Sequence, residues 1–143
     1  IAVVHGTILA GDTGSNHLAL GYMSFDISSL SGKTVSSATL DLSSCSQLQD
    51  PFGSLAGIWV GEVQYALPLD QSDYNISGTG IQLLNALPGG SIDVKALLQA
   101  RVTGGQSRFQ IRLHPAGATD GDGQADYMSC GSGTPKLNVT YQP

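Results

Sequence analysis

The chain has 143 residues, of which 12% are charged, and its 11 acidic and 6 basic side chains give a net charge of -5. This length suits one domain with a full hydrophobic core, so residues 1–143 are treated as a single domain. The basic residues are scattered, which argues against a nucleic-acid partner because nothing would neutralise a phosphate backbone. No apolar run reaches the roughly 18 residues of a membrane-spanning helix, so membrane insertion is not expected.

The first segment, Ile1–Ala10, is apolar with one glycine break. It predicts one or two edge strands of the domain's own sheet. A second interpretation is a donor strand that completes the sheet of a neighbouring copy, because chain termini exchange at low cost and an edge strand accepts them. The side chains that would carry this self-assembly are Ala2, Val3, Val4, Ile8 and Leu9.

The Asp12–Ser15 tetrapeptide matches the catalytic signature of an aspartic protease. That chemistry needs two carboxylates sharing a proton at the ends of hydrophobic strands. The run before Asp12 ends in Gly11 instead, and no second signature follows it. We therefore interpret Asp12 as part of a turn between strands.

Alternation of apolar and polar residues dominates the rest of the chain and predicts half-buried strands. Shorter strands are predicted at Ile58–Val63 and Ile81–Leu84, and glycine-rich turns lie between the strands. The alternation is clearest in four segments, whose predicted inward side chains are Met23, Phe25 and Ile27; Ala38, Leu40 and Leu42; Phe109, Ile111 and Leu113; and Leu137, Val139 and Tyr141.

One segment has helical spacing instead. After Asp93, a predicted N-cap, the apolar residues fall on one helical face and end before Gly104: Val94, Leu97, Leu98 and Val102. About eight or nine strands with this helix predict an all-β fold, namely a jelly-roll-type sandwich of two sheets with one short helix.

Four segments also share a pattern with a known family. They are the strand Gly21–Leu30 with its Phe-Asp-Ile-Ser run, the strand Thr34–Leu42, the helix Ile92–Ala100 with its Asp-Val start, and the closing Pro135–Tyr141 with its Val-Thr-Tyr end. In this order they resemble the DNRLRE-type domains. The resemblance covers about a third of the chain and leaves out Asp50–Leu87. It implies an extracellular jelly roll that serves as an accessory module of secreted or cell-surface proteins, and some relatives are carbohydrate-binding modules.

The two cysteines, Cys45 and Cys130, are surrounded by Ser and Gly, which is typical of strand ends. In an oxidising compartment a disulfide between them would close a long loop and contribute about 4 kcal/mol in the chain-entropy model. We predict this disulfide, with two buried free thiols as the alternative. The disulfide, the low charge and a start at Ile1 that fits a processed chain together predict an extracellular or cell-surface location. Asn75 and Asn138 match the N-glycosylation acceptor pattern.

An acidic loop is the predicted metal site. Asp120, Asp122 and Asp126 place three carboxylates within seven residues, and the glycines between them let the backbone fold tightly. Carboxylate oxygens are the ligands that Ca²⁺ prefers, so a structural calcium ion is predicted, with Asp26 as a further candidate ligand. The alternative is a solvated loop without metal.

The predicted ligand-binding residues are polar or aromatic. Arg108, Gln110, Arg112 and His114 alternate with core residues and share one outward face that could bind sugar hydroxyls or carboxylates. Trp59 and Tyr127 are candidate stacking surfaces for a sugar ring. The alternatives are a core position for Trp59 and a merely solvated polar face.

No Gly-x-Ser-x-Gly element or ordered Ser/His/Asp set indicates an enzyme. The sequence therefore predicts a non-catalytic structural or adhesive module at the cell surface, one that self-assembles as a fibre or pilus-like subunit. Its expected partners are copies of itself or other cell-surface proteins. The alternative is a carbohydrate-binding accessory module of a secreted polysaccharide-degrading system.

Overall fold

The computed structural model describes residues 8–12, 14–15, 17–66, 74, 76–117, 121–131 and 134–143. The all-β class with a short helix is confirmed. Two α-helices are present in these ranges, α1 (Pro51–Ser54) and α2 (Lys95–Thr103), with a 3₁₀ turn at Ser28–Leu30. The strands are β1 (Ile8–Asp12), β2 (Leu18–Ala19), β3 (Gly21–Asp26), β4 (Thr34–Asp41), β5 (Ser46–Leu48), β6 (Ile58–Val63), β7 (Gly78–Leu84), β8 (Ser91–Asp93), β9 (Arg108–Pro115), β10 (Asp126–Cys130) and β11 (Lys136–Gln142).

The described strands pair antiparallel in three sheets, ordered β2-β1-β10-β5, β11-β4-β8 and β3-β9-β6-β7. The first two sheets follow each other along the chain, since β4 leads to β5 while β10 leads to β11. The two sheets are separated by a turn between Asp41, the last residue of β4, and Ser46, the first residue of β5. In this turn the Asp41 carboxylate accepts a hydrogen bond from Ser43 N. Because of this turn, the described strands form three hydrogen-bonded sheets, whereas the sequence predicted two.

One hydrophobic core draws on all three sheets and on both helices. Strand β1 packs against β3 and β9, and α2 packs against β4 and β9, as expected for layers of a sandwich. The inward faces predicted from alternation are buried in β3, β4 and β9. Along β11 the burial decreases toward the end of the strand: Leu137 is buried, Val139 is half-buried and Tyr141 is 49% exposed.

Helix α2 occupies the predicted segment. Leu98 and Val102 are buried, and Gly104 follows the last helical residue. The N-cap is Val94 and not the predicted Asp93, but the Asp93 carboxylate still accepts a hydrogen bond from Lys95 N at 2.9 Å. The short α1 was not predicted, although Asp50 followed by a proline is a helix-start signal; the Asp50 carboxylate accepts a hydrogen bond from Gly53 N at 3.0 Å.

The predicted disulfide is confirmed. Cys45 and Cys130 are bonded, with their sulfur atoms 2.03 Å apart, and no free cysteine is present. Cys130 is the last residue of β10, and Cys45 directly precedes β5, the strand that pairs with β10. The covalent bond therefore closes this end of the β5–β10 ladder.

Candidate functional site

Three carboxylates meet where the β1–β10 ladder ends. Asp12, the last residue of β1, lies directly opposite Asp126, the first residue of β10. Asp122 belongs to the loop before β10. Each of the three offers a carboxylate oxygen, and these oxygens all lie within 4.8 Å of one another.

Glycines make this close approach feasible. Gly11 has a φ of +151°, and a Cβ placed on it would lie 2.5 Å from Tyr127 Cα on β10. In the loop, Gly121 and Gly123 both have a φ of +72°, which favours glycine and folds the chain tightly around Asp122. The Asp122 carboxylate also accepts a hydrogen bond from Gln124 N at 2.8 Å.

The cluster brings three acidic side chains close together, and two of them are buried. Asp12 is 0% exposed and Asp126 is 6% exposed, whereas Asp122 is open to solvent. Like charges directly opposite each other destabilise a sheet, and burial penalises ionised carboxylates. A cation between the carboxylates would offset both effects.

The cluster differs from the predicted calcium set in two respects. Asp122 and Asp126 do come together, but Asp120 lies outside the described residues, and Asp12 was missed. The prediction that Asp12 lies in a turn is wrong, since it ends β1 and the turn follows at Gly14 and Ser15. Only the pairing of β1 with β10 brings Asp12 to this place, and no spacing within the sequence indicates that pairing.

Asp26 is not a member of the cluster. It lies on β3 opposite Arg108, and its carboxylate accepts hydrogen bonds from the hydroxyl and the amide of Ser28. These bonds lower the pKa of Asp26, with a smaller contribution from the charge of Arg108.

The polar side chains of β9 alternate with buried Phe109, Ile111 and Leu113 and so share the face away from the core, as predicted. That face is contacted by Tyr65, which follows β6, and by Ile76, which precedes β7. Tyr65 N donates a hydrogen bond to Gln110 Oε1 at 3.0 Å, and Arg112 Nη1 donates to the Ile76 carbonyl at 2.6 Å.

Gln110 is buried, although it belongs to this outward face. It is 5% exposed, and its Nε2 donates a hydrogen bond to Ser24 Oγ at 3.2 Å. The interpretation of a solvated face is therefore wrong for Gln110. Arg108 stays half-buried and lines a depression of about 360 Å³ together with Tyr65, Gln64, Ala66, Gln106 and Gln110.

Trp59 and His114 lie opposite each other on β6 and β9, and both are half-buried. A Cβ on Gly80 would lie 3.4 Å from Trp59 Cζ3, so the indole packs over a glycine of β7 on the outer face. The core interpretation of Trp59 is therefore wrong. Burial lowers the pKa of His114, the charge of Arg112 lowers it further, and a hydrogen bond with the Pro115 carbonyl opposes both. Tyr127 lies on β10, in another sheet, and does not join these residues.

The edge strand β11 is a third candidate surface. Among the described strands it pairs with β4 alone. A depression of about 410 Å³ runs beside it, with Leu30, Val139 and Tyr141 among its lining residues. The sequon residue Asn138 is exposed on this strand, while Asn75 lies outside the described residues.

Of the five predicted self-assembly residues, two lie in the described part of the chain and three do not. Ile8 and Leu9 belong to β1 and lie opposite Cys130 and Ser129 of β10 in the same chain. Ala2, Val3 and Val4 lie outside the described residues.

None of the described helices is both long enough and apolar enough to cross a membrane. No family model matches the chain, and no curated protein matches it. The resemblance to DNRLRE-type domains therefore stays a prediction.

Proposed function

We propose that the protein is a non-catalytic structural or adhesive module of the cell surface that joins copies of itself by strand addition. The observation that carries the proposal is the edge of β11. Seven residues long, this strand lies at the border of its sheet in the described part of the chain. Its unpaired backbone side is a template for another strand.

The added strand of this proposal is the part of the N-terminal segment that precedes β1. Ile8 and Leu9 already lie opposite Cys130 and Ser129 of the same chain, so Ala2, Val3 and Val4 would carry the contact with a neighbouring copy. These three residues are apolar, and Val3 and Val4 are β-branched, which suits a strand added beside the depression at β11.

The extracellular location rests on the disulfide. Disulfides persist in secreted and cell-surface proteins and are rare where glutathione keeps thiols reduced. A bond between two buried cysteines on paired strand ends is a structural disulfide, not a reactive one.

The test is the mass of the native particle by light scattering. The wild-type chain should form assemblies, and Val3→Pro should leave a monomer near 14.7 kDa, because proline removes a backbone donor and cannot extend a ladder. Val3→Thr is the matched control, since threonine keeps both the amide and a β-branched side chain, and it should still assemble. A monomeric wild type, or assembly unaffected by Val3→Pro, would refute strand addition through this segment.

Polysaccharide binding is the second candidate, and the depression beside Arg108 favours it. Its lining combines a guanidinium, the Tyr65 ring and side-chain amides, which are groups that bind sugar hydroxyls. Arg108→Gln should abolish retention on a polysaccharide gel, while Lys136→Gln on β11 should not change it. Equal elution of both variants and the wild type would exclude this site.

A further inference from the structure

We propose that Asp12, Asp122 and Asp126 form a calcium site that fastens the loop before β10 to the end of β1. The site is independent of how copies of the chain assemble. It links two strands that are far apart in the sequence to a loop, so an ion bound there would hold all three segments.

The geometry suits Ca²⁺. Two oxygen ligands bound at about 2.3–2.6 Å to the same calcium ion lie at most about 5 Å apart. The oxygens offered by the three carboxylates are all within 4.8 Å of one another, so each pair is close enough to share one ion.

The state of Asp126 points independently to a ligand. Its side chain is 6% exposed, and in the described part of the chain its Oδ2 is buried with no hydrogen-bond partner. Buried polar atoms almost always have a partner, and a buried carboxylate needs one more than most. A cation between Asp126 and its two neighbours provides that partner and removes the repulsion between the facing carboxylates of β1 and β10.

Asp122 is the residue to change, because it is exposed and its loss leaves the core intact. Asn in its place keeps an oxygen that accepts the hydrogen bond from Gln124 N, so Asp122→Asn removes the charge and spares the turn. Asp41→Asn is the matched control. Asp41 accepts a hydrogen bond from Ser43 N at 2.9 Å, two residues on, in the same way that Asp122 does from Gln124 N, and it is not part of the cluster.

The experiment is calorimetric titration of the chelator-treated chain with CaCl₂ at neutral pH, with the melting temperature measured with and without the ion. The wild type and Asp41→Asn should bind one Ca²⁺ and melt at a higher temperature with it. Asp122→Asn should bind about tenfold more weakly or worse. Without calcium its melting temperature should equal or exceed that of the wild type, because one repelling charge is gone.

Two outcomes would overturn the proposal. In the first, Asp122→Asn and Asp126→Asn bind calcium as tightly as the wild type, which places the ion elsewhere. In the second, the wild type shows neither heat of binding nor a change in melting temperature, which means that the three carboxylates do not form a calcium site.

Discussion

Glu62 is a buried carboxylate on β6 whose partner, Arg101, comes from α2. Arg101 Nε donates to Glu62 Oε2 at 2.6 Å, and Arg101 Nη2 donates to Glu62 Oε1 at 3.0 Å. The Glu62 side chain is 2% exposed and that of Arg101 is 24% exposed. The hydrogen bonds with Glu62 raise the pKa of Arg101. This two-pronged contact fastens the helix to one sheet of the sandwich.

Arg101→Met should lower the free energy of unfolding by about 3–5 kcal/mol, because it leaves the Glu62 carboxylate buried without its partner. Urea denaturation measures the loss. Adding Glu62→Gln to the variant should recover part of it, since the charge is then gone. A loss below about 0.5 kcal/mol, the size of an ordinary surface substitution, would show that the pair does not stabilise the fold.

His114 makes stability depend on pH. Its folded-state pKa lies below the ordinary value of 6.5, chiefly because of burial. As pH falls below about 6.5 the unfolded chain takes up a proton that the folded chain resists, so stability declines. The carboxylates of Asp26 and Asp41 have pKa values lowered from 3.8, so their contribution is lost only in a more acidic range.

His114→Gln should therefore flatten the melting temperature measured between about pH 7.5 and pH 5. Glutamine has no titrating group, so the difference between the variant and the wild type at each pH isolates the contribution of His114. The same slope in His114→Gln and the wild type would contradict the assignment.

At the scale of elements, the pairing of β1 with β10 depends on Gly11. Its φ of +151° and the approach of Tyr127 Cα leave no room for a side chain. Gly11→Ala should cost about 2–5 kcal/mol of unfolding free energy, through backbone strain together with overpacking. Gly89→Ala is the control, since a Cβ there meets nothing within 4 Å. Similar denaturation midpoints for the two variants would show that β10 can move away from β1 at little cost.

Alternation predicted β3, β4 and β9 because one face of each strand is apolar throughout. It missed β10, where the buried face carries Asp126 as well as Met128 and Cys130. A carboxylate in a buried position breaks the pattern by which strands are recognised. Asp126 is therefore both a member of the acidic cluster and the reason why β10 was not predicted.

The site itself was only half predictable. The loop around Asp122 can be recognised in the sequence by its closely spaced carboxylates and glycines. Asp12 carries no such signal, since its nearness to Asp126 is a matter of register between strands at opposite ends of the chain. In the same way, the alternation of residues predicted the outward polar face of β9. It could not predict that Tyr65 and Ile76 contact this face, because the segment that connects β6 and β7 has no regular pattern.

At the scale of the whole molecule, the disulfide restricts the unfolded chain. Its cysteines are 85 residues apart, so the Cys45→Ala/Cys130→Ala double variant should lose about 4 kcal/mol of unfolding free energy. Chemical denaturation of the variant and of the reduced wild type should give similar midpoints. A double variant as stable as the oxidised wild type would mean that the bond adds nothing to the fold.

The same bond determines how far the molecule stretches under tension. A pull applied at both ends would peel β1 from β10 and β11 from β4, because these strands hold the terminal segments. The loop that the disulfide closes spans 85 residues, equivalent to about 290 Å of extended chain, and the covalent bond keeps that length from being drawn out. Only residues outside this loop can be drawn out in an oxidising medium, so the molecule should extend much less under tension than it does once the disulfide is reduced.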